Sequence, residues 1–326
     1  MAVKVSIIVP TYQRPELLKR CIEWLMTQDF LKEEYEIIVV TDGLDEQTNN
    51  IISESRVNKL FSNIFCYSLP EKKGPAAARN AGWKIAKGNL ILFTDDDCIA
   101  SGDWVKNYFN AFGFYGQSII AFTGKIIVPL STSPTDFELN TAHLEKADFV
   151  TANCACSKMA LDKVNGFDEK FTMAWREDSD LHFKLLKEGI QILKIEEAVI
   201  FHPVRQAPWG VSLKEQKKSM FNALLFKKHP QLYRQMISSS ILWNYYLMII
   251  LLPGFLVALY YSRKFIAIVC FSAWIILLSL FICKRLANSS RSFNHIIEMV
   301  ATSILIPFLS VYWNLYGAYK FKVLRL

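Results

Sequence analysis

The chain has 326 residues, of which 52% are hydrophobic and 21% are charged, and its mean hydropathy is +0.19. This is too apolar for an ordinary soluble enzyme of its size, and the excess lies in the last quarter of the chain. The net charge of +7 is compatible with nucleic acid, an anionic membrane or a phosphorylated ligand as partner. Nucleic acid is the least favoured of the three, because no block of lysine and arginine is interleaved with aromatic residues.

The first hundred residues alternate between short apolar runs and amphipathic segments. We predict strands at Val5–Val9, Glu36–Val40, Asn63–Ser68 and Leu90–Phe93, and helices at Pro15–Thr27, Gln47–Leu60 and Pro75–Lys87. This alternation indicates an α/β domain with a doubly wound, mostly parallel sheet. In such sheets ligands bind beyond the carboxyl ends of the strands.

The next hundred residues are less regular. We predict strand at Ile119–Pro129, helices at Lys158–Val164 and Ser179–Glu188, one or two strands in Gln191–Phe201, and a basic amphipathic helix at Lys214–Lys228. Val5–Val9 is typical of a buried strand and not of a signal peptide, so we expect the N-terminal domain to fold in the cytosol. The seven cysteines are expected to be free thiols in a reducing compartment.

Three C-terminal segments contain no Asp, Glu, Lys or Arg: Ile241–Tyr261, Phe265–Cys283 and Met299–Tyr319. Each is about long enough to cross a ~30 Å hydrocarbon core, although a buried helix pair in a soluble protein is the alternative. Three spans would place Lys320, Lys322 and Arg325 outside, against the positive-inside rule. Two spans and one re-entrant or interfacial segment would satisfy that rule, and Pro253-Gly254 is one candidate for a break. We expect two or three hydrophobic helices.

Asp95-Asp96-Asp97 follows a predicted strand. Three adjacent carboxylates repel one another unless a cation or strong donors lie nearby. In an extended chain the side chains of Asp95 and Asp97 point to the same side. Two carboxylates on one side could bind Mg²⁺ or Mn²⁺ together with a diphosphate, because hard cations take oxygen ligands. The alternatives are a solvated turn or the cap of a helix before Trp104.

Asp178 lies in the run from Trp175 to Leu181. Its carboxylate could take the proton of an acceptor hydroxyl, and a position at a helix N-terminus would lower its pKa and keep it ionised. The alternative is that Asp178 or Ser179 only caps a helix that Gly189 ends.

Four further side chains follow strands or begin helices, and each has a structural alternative. Asp42 could accept a hydrogen bond from a nucleobase or form an Asx turn with Gly43. Tyr12 could stack on a base or cover the edge of the sheet. Arg79 could reach a ribose or phosphate or form a surface ion pair. His202 could bind a metal or be a hydrogen-bonded structural histidine.

Six separated motifs occur in an order that resembles the family-2 glycosyltransferases with a GT-A-type fold. They are Val5–Glu16, Ile37–Gly43, Gly74–Gly82, Leu92–Asp97, Gly166–Glu169 and Arg176–Leu181. The resemblance covers roughly residues 3–205 and leaves the C-terminal hydrophobic segments outside. Together with the hydrophobic segments and the absence of a signal-peptide pattern, it leads us to expect a cytosolic catalytic domain at residues 1–230, followed by a membrane region at residues 231–326.

The resemblance also implies roles for individual residues. The nucleotide site would comprise Pro10, Thr11, Tyr12, Arg14, Asp42, Arg79, Asp95 and Asp96, with Arg79 and Asp95 on the ribose side. Asp97, helped by Asp95 and by His202, would bind a divalent metal, Mn²⁺ or Mg²⁺. Asp178 matches the catalytic base, and Glu177 stands beside it.

Two departures from the family pattern narrow the expected activity. Thr41-Asp42 stands where two acids are usual, and the Gln-x-x-Arg-Trp motif of processive polysaccharide synthases is absent after Asp178. We therefore expect inverting transfer of a single sugar from a nucleotide sugar, of which UDP-linked donors are the commonest, to a lipid-linked or glycan acceptor. The expected location is the cytosolic face of the cell inner membrane.

Two other functions remain compatible with the sequence. The first is a metal-dependent nucleotidyltransferase, although its glycine-rich, lysine-bearing loop is missing after Val9. The second is a membrane scaffold that retains an inactive nucleotide-sugar domain, although the presence of both Asp97 and Asp178 argues against it.

Overall fold

The computed structural model describes residues 2–57, 62–116, 119–237 and 243–323. The chain folds as two compact units. The first comprises Met1–Pro129 and Ala142–Val204, and the second comprises Leu130–Thr141 and Arg205–Leu326. The functional division at residue 230 stays a prediction.

The first unit is built on one mixed, mostly parallel sheet. Within the described residues its strands are β1 Val5–Thr11, β2 Tyr35–Thr41, β3 Ile64–Ser68, β4 Leu90–Phe93, β5 Ile99–Ala100, β6 Ile120–Ile127, β7 Cys154–Ser157 and β8 Gln191–Phe201. Their order in the sheet is β3-β2-β1-β4-β7-β6-β8-β5. Strands β3, β2, β1 and β4 are parallel, β7 is antiparallel to β4 and β6, and β8 is parallel to β6 and antiparallel to β5. Thus the carboxyl ends of β1, β2 and β4 meet at one edge.

Helices pack on both faces of this sheet, as the doubly wound prediction requires. In chain order the helices of the first unit are α1 Pro15–Leu25, α2 Glu46–Val57, α3 Pro75–Ile85, α4 Trp104–Phe114, α6 Lys158–Val164 and α7 Glu177–Lys187, with a 3₁₀ turn at His143–Lys146. Helix α5, Asp136–Ala142, belongs to the second unit up to Thr141. Ile7 on one face of β1 joins the core formed with α1 and α4, whereas Ile8 on the other face joins the core formed with α3, α6 and α7. Burial on both faces explains why β1 is a continuous apolar run.

Most of the predicted elements of this unit are confirmed to within a few residues. The end of the predicted helix Gln47–Leu60, at residues 58–60, lies outside the described residues. Gln191–Phe201 forms one strand. Helix α5 and strands β5 and β7 were not predicted, and a helix at Trp104 was raised only as an alternative for the acidic triplet. Strand β7 consists of Cys154, Ala155, Cys156 and Ser157, which lack the β-branched and aromatic side chains that mark a strand.

The second unit is helical in its C-terminal part. Its further elements are α8 Val211–Glu215, a 3₁₀ turn at Gln216–Ser219, α9 Met220–Lys228, α10 Pro230–Met236, α11 Trp243–Tyr260, α12 Lys264–Leu286 and α13 Phe293–Lys320. The predicted helix Lys214–Lys228 is therefore divided by a 3₁₀ turn.

Three of these helices are long and apolar enough to cross a membrane in the described part of the chain: α11, α12 and α13. The first two residues of the predicted segment Ile241–Tyr261 lie outside the described residues. Pro253 lies inside α11 without ending it, so the expected break at Pro253-Gly254 is wrong. The nearby helix α12 packs against this stretch, with the Cys270 sulfur 3.6 Å from where a Cβ of Gly254 would lie. Such packing supports the helix through the proline.

Candidate functional site

The acidic triplet lies in a turn directly after β4, beside the carboxyl end of β1. Asp96 is buried, and its two oxygens accept hydrogen bonds from Thr11 Oγ1 at 2.8 Å and from Arg14 Nη1 at 3.2 Å. Since the turn begins at Asp96, the alternation expected of an extended chain does not continue through the triplet. The structure thus brings Thr11, Arg14 and Asp96 together and holds the turn against β1.

Arg79 connects the triplet to the later half of the unit. Its guanidinium donates from Nη2 to Asp95 Oδ1 at 2.7 Å and from Nη1 to Glu177 Oε1 at 3.1 Å. The arginine is buried, with 3% of its surface exposed, so it is not the surface ion pair considered above. Because one planar guanidinium holds both carboxylates, the end of β4 and the start of α7 belong to one site.

Asp178 lies in the first turn of α7 and is half-buried. Its Oδ1 accepts hydrogen bonds from the Ser179 amide at 2.6 Å and from Ser179 Oγ at 3.3 Å. The expectation that Asp178 or Ser179 is the N-cap is wrong. Arg176 takes that position with φ of 74°, and its carbonyl accepts from the Asp180 amide at 2.9 Å, which starts the helical ladder two residues earlier.

The pKa of Asp178 also differs from the expectation. Burial raises it above its ordinary value, and this outweighs the lowering by the Ser179 amide and by Arg176 and Arg79. The expected lowering at the helix N-terminus therefore has the wrong sign. A carboxylate with a raised pKa is a stronger base, which suits removal of a proton from a hydroxyl.

Glu177 is more deeply buried than Asp178. Burial, with repulsion from Asp178, raises the pKa of Glu177 to about 7 although Arg79 opposes the shift. Its Oε1 is held by Arg79, and its Oε2 is buried with no hydrogen-bond partner among the residues that the structure describes. Such a carboxyl is costly to ionise.

This shift predicts how the stability of the chain depends on pH. Because the folded state holds the Glu177 proton up to about pH 7 and the unfolded state releases it near its ordinary pKa of 4.5, the contribution of Glu177 to stability is largest below pH 4.5 and is lost as pH rises to 7. The loss is up to about 3 kcal/mol. Without added metal, we expect Glu177→Gln to unfold in urea with a shallower pH dependence than the unchanged chain.

The matched control is Glu188→Gln, at the opposite, exposed end of the same helix. It should keep the pH dependence of the unchanged chain. If Glu177→Gln and Glu188→Gln gave the same slope between pH 5 and 7, Glu177 would not be the titrating group.

Three buried side chains near the triplet could hold a metal ion. Asp97, Cys98 and His202 each offer a ligand atom, and these atoms lie within 4.8 Å of one another. His202 Nε2 is 3.7 Å from Asp97 Oδ1, whereas its Nδ1 is buried and has no hydrogen-bond partner among the described residues. A buried carboxylate beside a buried, incompletely bonded imidazole suits a divalent cation. Asp95, which was also predicted to bind the metal, faces Arg79 instead. Cys98 was not predicted as a ligand, although its position directly after the triplet could have suggested it.

Asp42 is buried against the loop before α3. Its Oδ1 accepts from the amides of Lys73 at 2.6 Å and Gly74 at 2.9 Å, and its Oδ2 also accepts from Gly74 at 2.9 Å. Gly74 has φ of 99°, and a Cβ there would lie 2.5 Å from the Thr172 carbonyl oxygen. Asp42 thus fixes a loop that only glycine can close, and its contact with a base stays a prediction.

The remaining predicted residues lie at the end of β1. Pro10 is buried inside the strand. The Tyr12 ring is about one-third exposed and carries Lys72 Nζ 3.4 Å from its centre. An exposed ring beside a cation can stack on a planar base while the amine meets a phosphate.

Asn80 is a further residue whose function was not predicted. Its Nδ2 donates to the Phe167 carbonyl and to Glu169 Oε1, both at 2.9 Å, and its Oδ1 accepts from the Phe167 amide at 2.9 Å. It therefore joins α3 to the loop before α7. The signal was its place in the same short motif as Gly74 and Arg79.

Comparison with known proteins shows similarity to glycosyltransferases. The family model described as Glycosyl transferase family 2 matches residues 6–163, and the one described as Glycosyl transferase family group 2 matches residues 135–283. A curated relative, Glycosyltransferase AglE of Haloferax volcanii, is 22% identical over 221 residues, covering 65% of this chain and 70% of the relative. Against other curated relatives the chain spans as little as 17% of their length.

Two solved structures share the fold. One is the mannosyltransferase PcManGT from Pyrobaculum calidifontis in complex with GDP-Man and Mn²⁺, with a TM-score of 0.58, 14% identity, and coverage of 97% of this chain and 88% of that one. The other is S. aureus TarS 1-349 in complex with UDP-GlcNAc, with a TM-score of 0.51, 17% identity, and coverage of 99% and 93%. The mixed sheet with helices on both faces is thus of the GT-A type. The two matches together run from residue 6 to residue 283, and with the motifs and the fold they make the chain similar to glycosyl transferase family 2 over most of its length.

Proposed function

We propose that this chain is an inverting, metal-dependent glycosyltransferase that moves one sugar from a nucleotide-sugar donor to a lipid-linked or glycan acceptor at the cytosolic face of a membrane. The observation that carries the proposal is the Arg79 bridge. It joins Asp95, which follows β4, to Glu177, next to the half-buried carboxylate of Asp178. Donor-binding and base-bearing segments 98 residues apart are thereby held in one site.

The donor lies across the carboxyl ends of β1, β2 and β4. Pro10, Thr11, Tyr12 and the loop held by Asp42 form the base site, with Arg14 and Asp96 fixing its floor. Arg79 and Asp95 face the ribose side. The two solved structures of this fold, with bound UDP-GlcNAc and GDP-Man, support a nucleotide sugar without deciding between uridine and guanosine.

Asp97 and His202, with Cys98 beside them, would hold the divalent ion. Bound there, such an ion offsets negative charge on a nucleoside diphosphate. The buried, unpartnered His202 Nδ1 and the buried Asp97 carboxylate are the features of this chain that fit it.

Asp178 acts as the general base. Its carboxylate takes the proton of the acceptor hydroxyl while that oxygen attacks the anomeric carbon from the face opposite the leaving group. A glycosidic bond forms, the bond to the diphosphate oxygen breaks, and the nucleoside diphosphate leaves with the electron pair. One displacement inverts the anomeric centre. Arg79 fixes the neighbouring Glu177 and so orients the first turn of α7.

A donor-binding experiment tests this function. The purified full chain in detergent is heated with UDP-GlcNAc, with GDP-mannose and with ATP, each with Mn²⁺. One nucleotide sugar should raise the melting temperature, because a ligand that binds only the folded state stabilises it, and ATP should not. The donor so identified should then label a lipid extract and leave free sugars unlabelled.

Two results would count against the proposal. Stabilisation by ATP alone, with release of pyrophosphate, would point to nucleotidyl transfer. Binding of a nucleotide sugar without transfer to any lipid or glycan, and without its hydrolysis, would point to an inactive scaffold.

A further inference from the structure

Helix α13 differs from the other two apolar helices in what it buries. In its most apolar stretch 39% of residues are buried inside the protein, compared with 11% for α11 and for α12. The buried face carries small or polar side chains, among them Thr302, Ser303, Ser310 and Gly317. The opposite face exposes large apolar ones: Ile297, Val300, Ile304, Tyr312, Leu315 and Tyr319. Met299 and Ile306 are buried on the inner face, but large apolar side chains line the outer face from Ile297 to Tyr319. Such a face is suited to lipid.

The buried face of α13 lies along the segment Val211–Lys228, called here the basic segment. Near the start of α13, Glu298 Oε1 accepts a hydrogen bond from the Gly210 amide at 2.7 Å. At its end, Lys227 Nζ donates to the Phe321 carbonyl at 2.7 Å. Because both ends are joined, helix and segment run side by side in the same direction.

The contact is close in the second half of α13. A Cβ on Gly317 would lie 2.3 Å from the Met220 carbonyl oxygen, so the two backbones touch and no larger residue fits. One turn earlier, Lys217 Nζ lies 5.6 Å from the Trp313 ring centre. Close backbone approach at a glycine is typical of a fixed helix pair.

The charge of the basic segment limits where α13 can lie. The segment carries five lysines: Lys214, Lys217, Lys218, Lys227 and Lys228. Charged lysines are costly in hydrocarbon, whereas at a membrane surface they are attracted to anionic headgroups. If α13 crossed the bilayer, the segment fixed along it would carry these lysines into the hydrocarbon core.

The other two helices meet α13 differently. At the end of α12, the Arg285 guanidinium donates to Thr302 Oγ1 at 2.7 Å and Ser303 Oγ at 2.9 Å on the polar face of α13. Helices α11 and α12 pack on each other and are joined at their far end by a turn that contains Arg263. They form a helix pair, and the buried Arg285 at the end of α12 connects this pair to α13 by hydrogen bonds.

We propose that α13 lies in the plane of the cytosolic leaflet and that only α11 and α12 span the membrane. The exposed face of α13 would lie among acyl chains, with the lysines of the basic segment in an anionic headgroup layer. This places Lys320 and Lys322 on the cytosolic side, in agreement with the positive-inside rule. The inference rests on the proposed function only in placing the chain at a membrane.

Cysteine labelling tests the topology. In a full chain with Cys66, Cys270 and Cys283 replaced by Ala, so that the remaining native cysteines are buried, one cysteine at a time is introduced. The three positions are Ser262→Cys in the α11–α12 turn, Arg291→Cys between α12 and α13, and Lys322→Cys after α13. Intact cells are treated with a maleimide that does not cross the inner membrane. We expect labelling at position 262 alone, with 291 and 322 labelled only after permeabilisation. Labelling of 322 together with 262 would mean that α13 spans the membrane and would overturn the inference.

Depth measurement supplies a second, independent readout. With Cys66, Cys270 and Cys283 replaced by Ala, nitroxide labels are placed at Ile297→Cys, Ile304→Cys and Leu315→Cys, which lie on one face. The chain is reconstituted in vesicles of phosphatidylcholine and phosphatidylglycerol. An in-plane helix gives one shallow depth at all three positions, whereas a spanning helix buries position 304 much more deeply than the other two.

The failure of the membrane proposal itself would look different. If the chain were not membrane-bound, a high-salt and carbonate wash would release it from cell membranes, and all three nitroxides would report water. Transfer activity measured on the Lys322→Cys variant shows in addition that the protein remains folded.

Discussion

Replacing Asp178 by Asn is expected to reduce sugar transfer by about 10²–10⁴-fold, the usual contribution of a general base. The amide keeps the shape of the side chain but cannot take a proton. Donor affinity should stay within about threefold, because the loss affects the transition state and not ground-state binding. Initial rates and donor titrations on purified protein measure the two effects separately.

The pH profile makes this prediction sharper. Burial raises the pKa of Asp178, so transfer by the unchanged enzyme should increase with pH over a range above that of an ordinary aspartate. The residual activity of Asp178→Asn should lack this increase. Glu188→Gln, on the exposed end of the same helix, should retain both the rate and the profile. If Glu177→Gln lost more activity than Asp178→Asn, the base would be Glu177.

Much of the fold could be predicted from local pattern. β1 and β2 are buried on both faces and therefore appear as unbroken apolar runs, and α1 begins at a proline and keeps helical spacing. Strand β7 was not predicted because its four small residues have a low preference for β-strands. The start of α7 was predicted in the wrong place because Arg176 has a left-handed backbone conformation, which is uncommon for an arginine and is not predictable from the sequence.

The sequence predicted which residues would form the candidate site but did not predict which of them would pair with each other. Motif order predicted Asp95, Asp97 and Asp178 as site residues, but the pairing of Arg79 with Glu177 spans 98 residues and depends on how the chain returns to the sheet. The same limit applies to Thr11 with Asp96, 85 residues apart. The raised pKa of Asp178 was also missed, because a helix N-terminus is visible in a sequence and the depth of burial is not.

Unit 2 shows the limit for helices that look alike in sequence. All three predicted C-terminal segments lack Asp, Glu, Lys and Arg, and all three helices are long and apolar enough to cross a membrane, so length and composition alone allow each to be a span. What separates α13 is the face formed by Thr302, Ser303 and Ser310 and the segment that covers it. The hydrogen bonds that join this segment to α13 connect residues 88 and 94 positions apart, and its contact with Gly317 is set by tertiary packing.

Replacing Asp97 by Asn should weaken binding of Mn²⁺ and reduce transfer by about 10²–10⁴-fold. The carboxylate is 1% exposed and faces His202 Nε2 at 3.7 Å, so an amide there removes the negative charge of the cluster without opening a cavity. Electron paramagnetic resonance of free Mn²⁺ during a titration reads the binding loss without reference to activity, and a thermal melt confirms that the variant is folded.

The matched control for Asp97→Asn is Asp103→Asn, which removes an exposed carboxylate six residues later on the same segment. Asp103 accepts a hydrogen bond from Ser101 and lies outside the cluster of Asp97, Cys98 and His202. The Asp103→Asn variant should bind Mn²⁺ and transfer sugar as the unchanged chain does. Unchanged Mn²⁺ binding by Asp97→Asn would mean that the ion is held elsewhere. Full transfer by a variant that no longer binds Mn²⁺ would show that charge on the departing diphosphate is balanced by side chains alone, with Arg79 the nearest buried cation to the triplet.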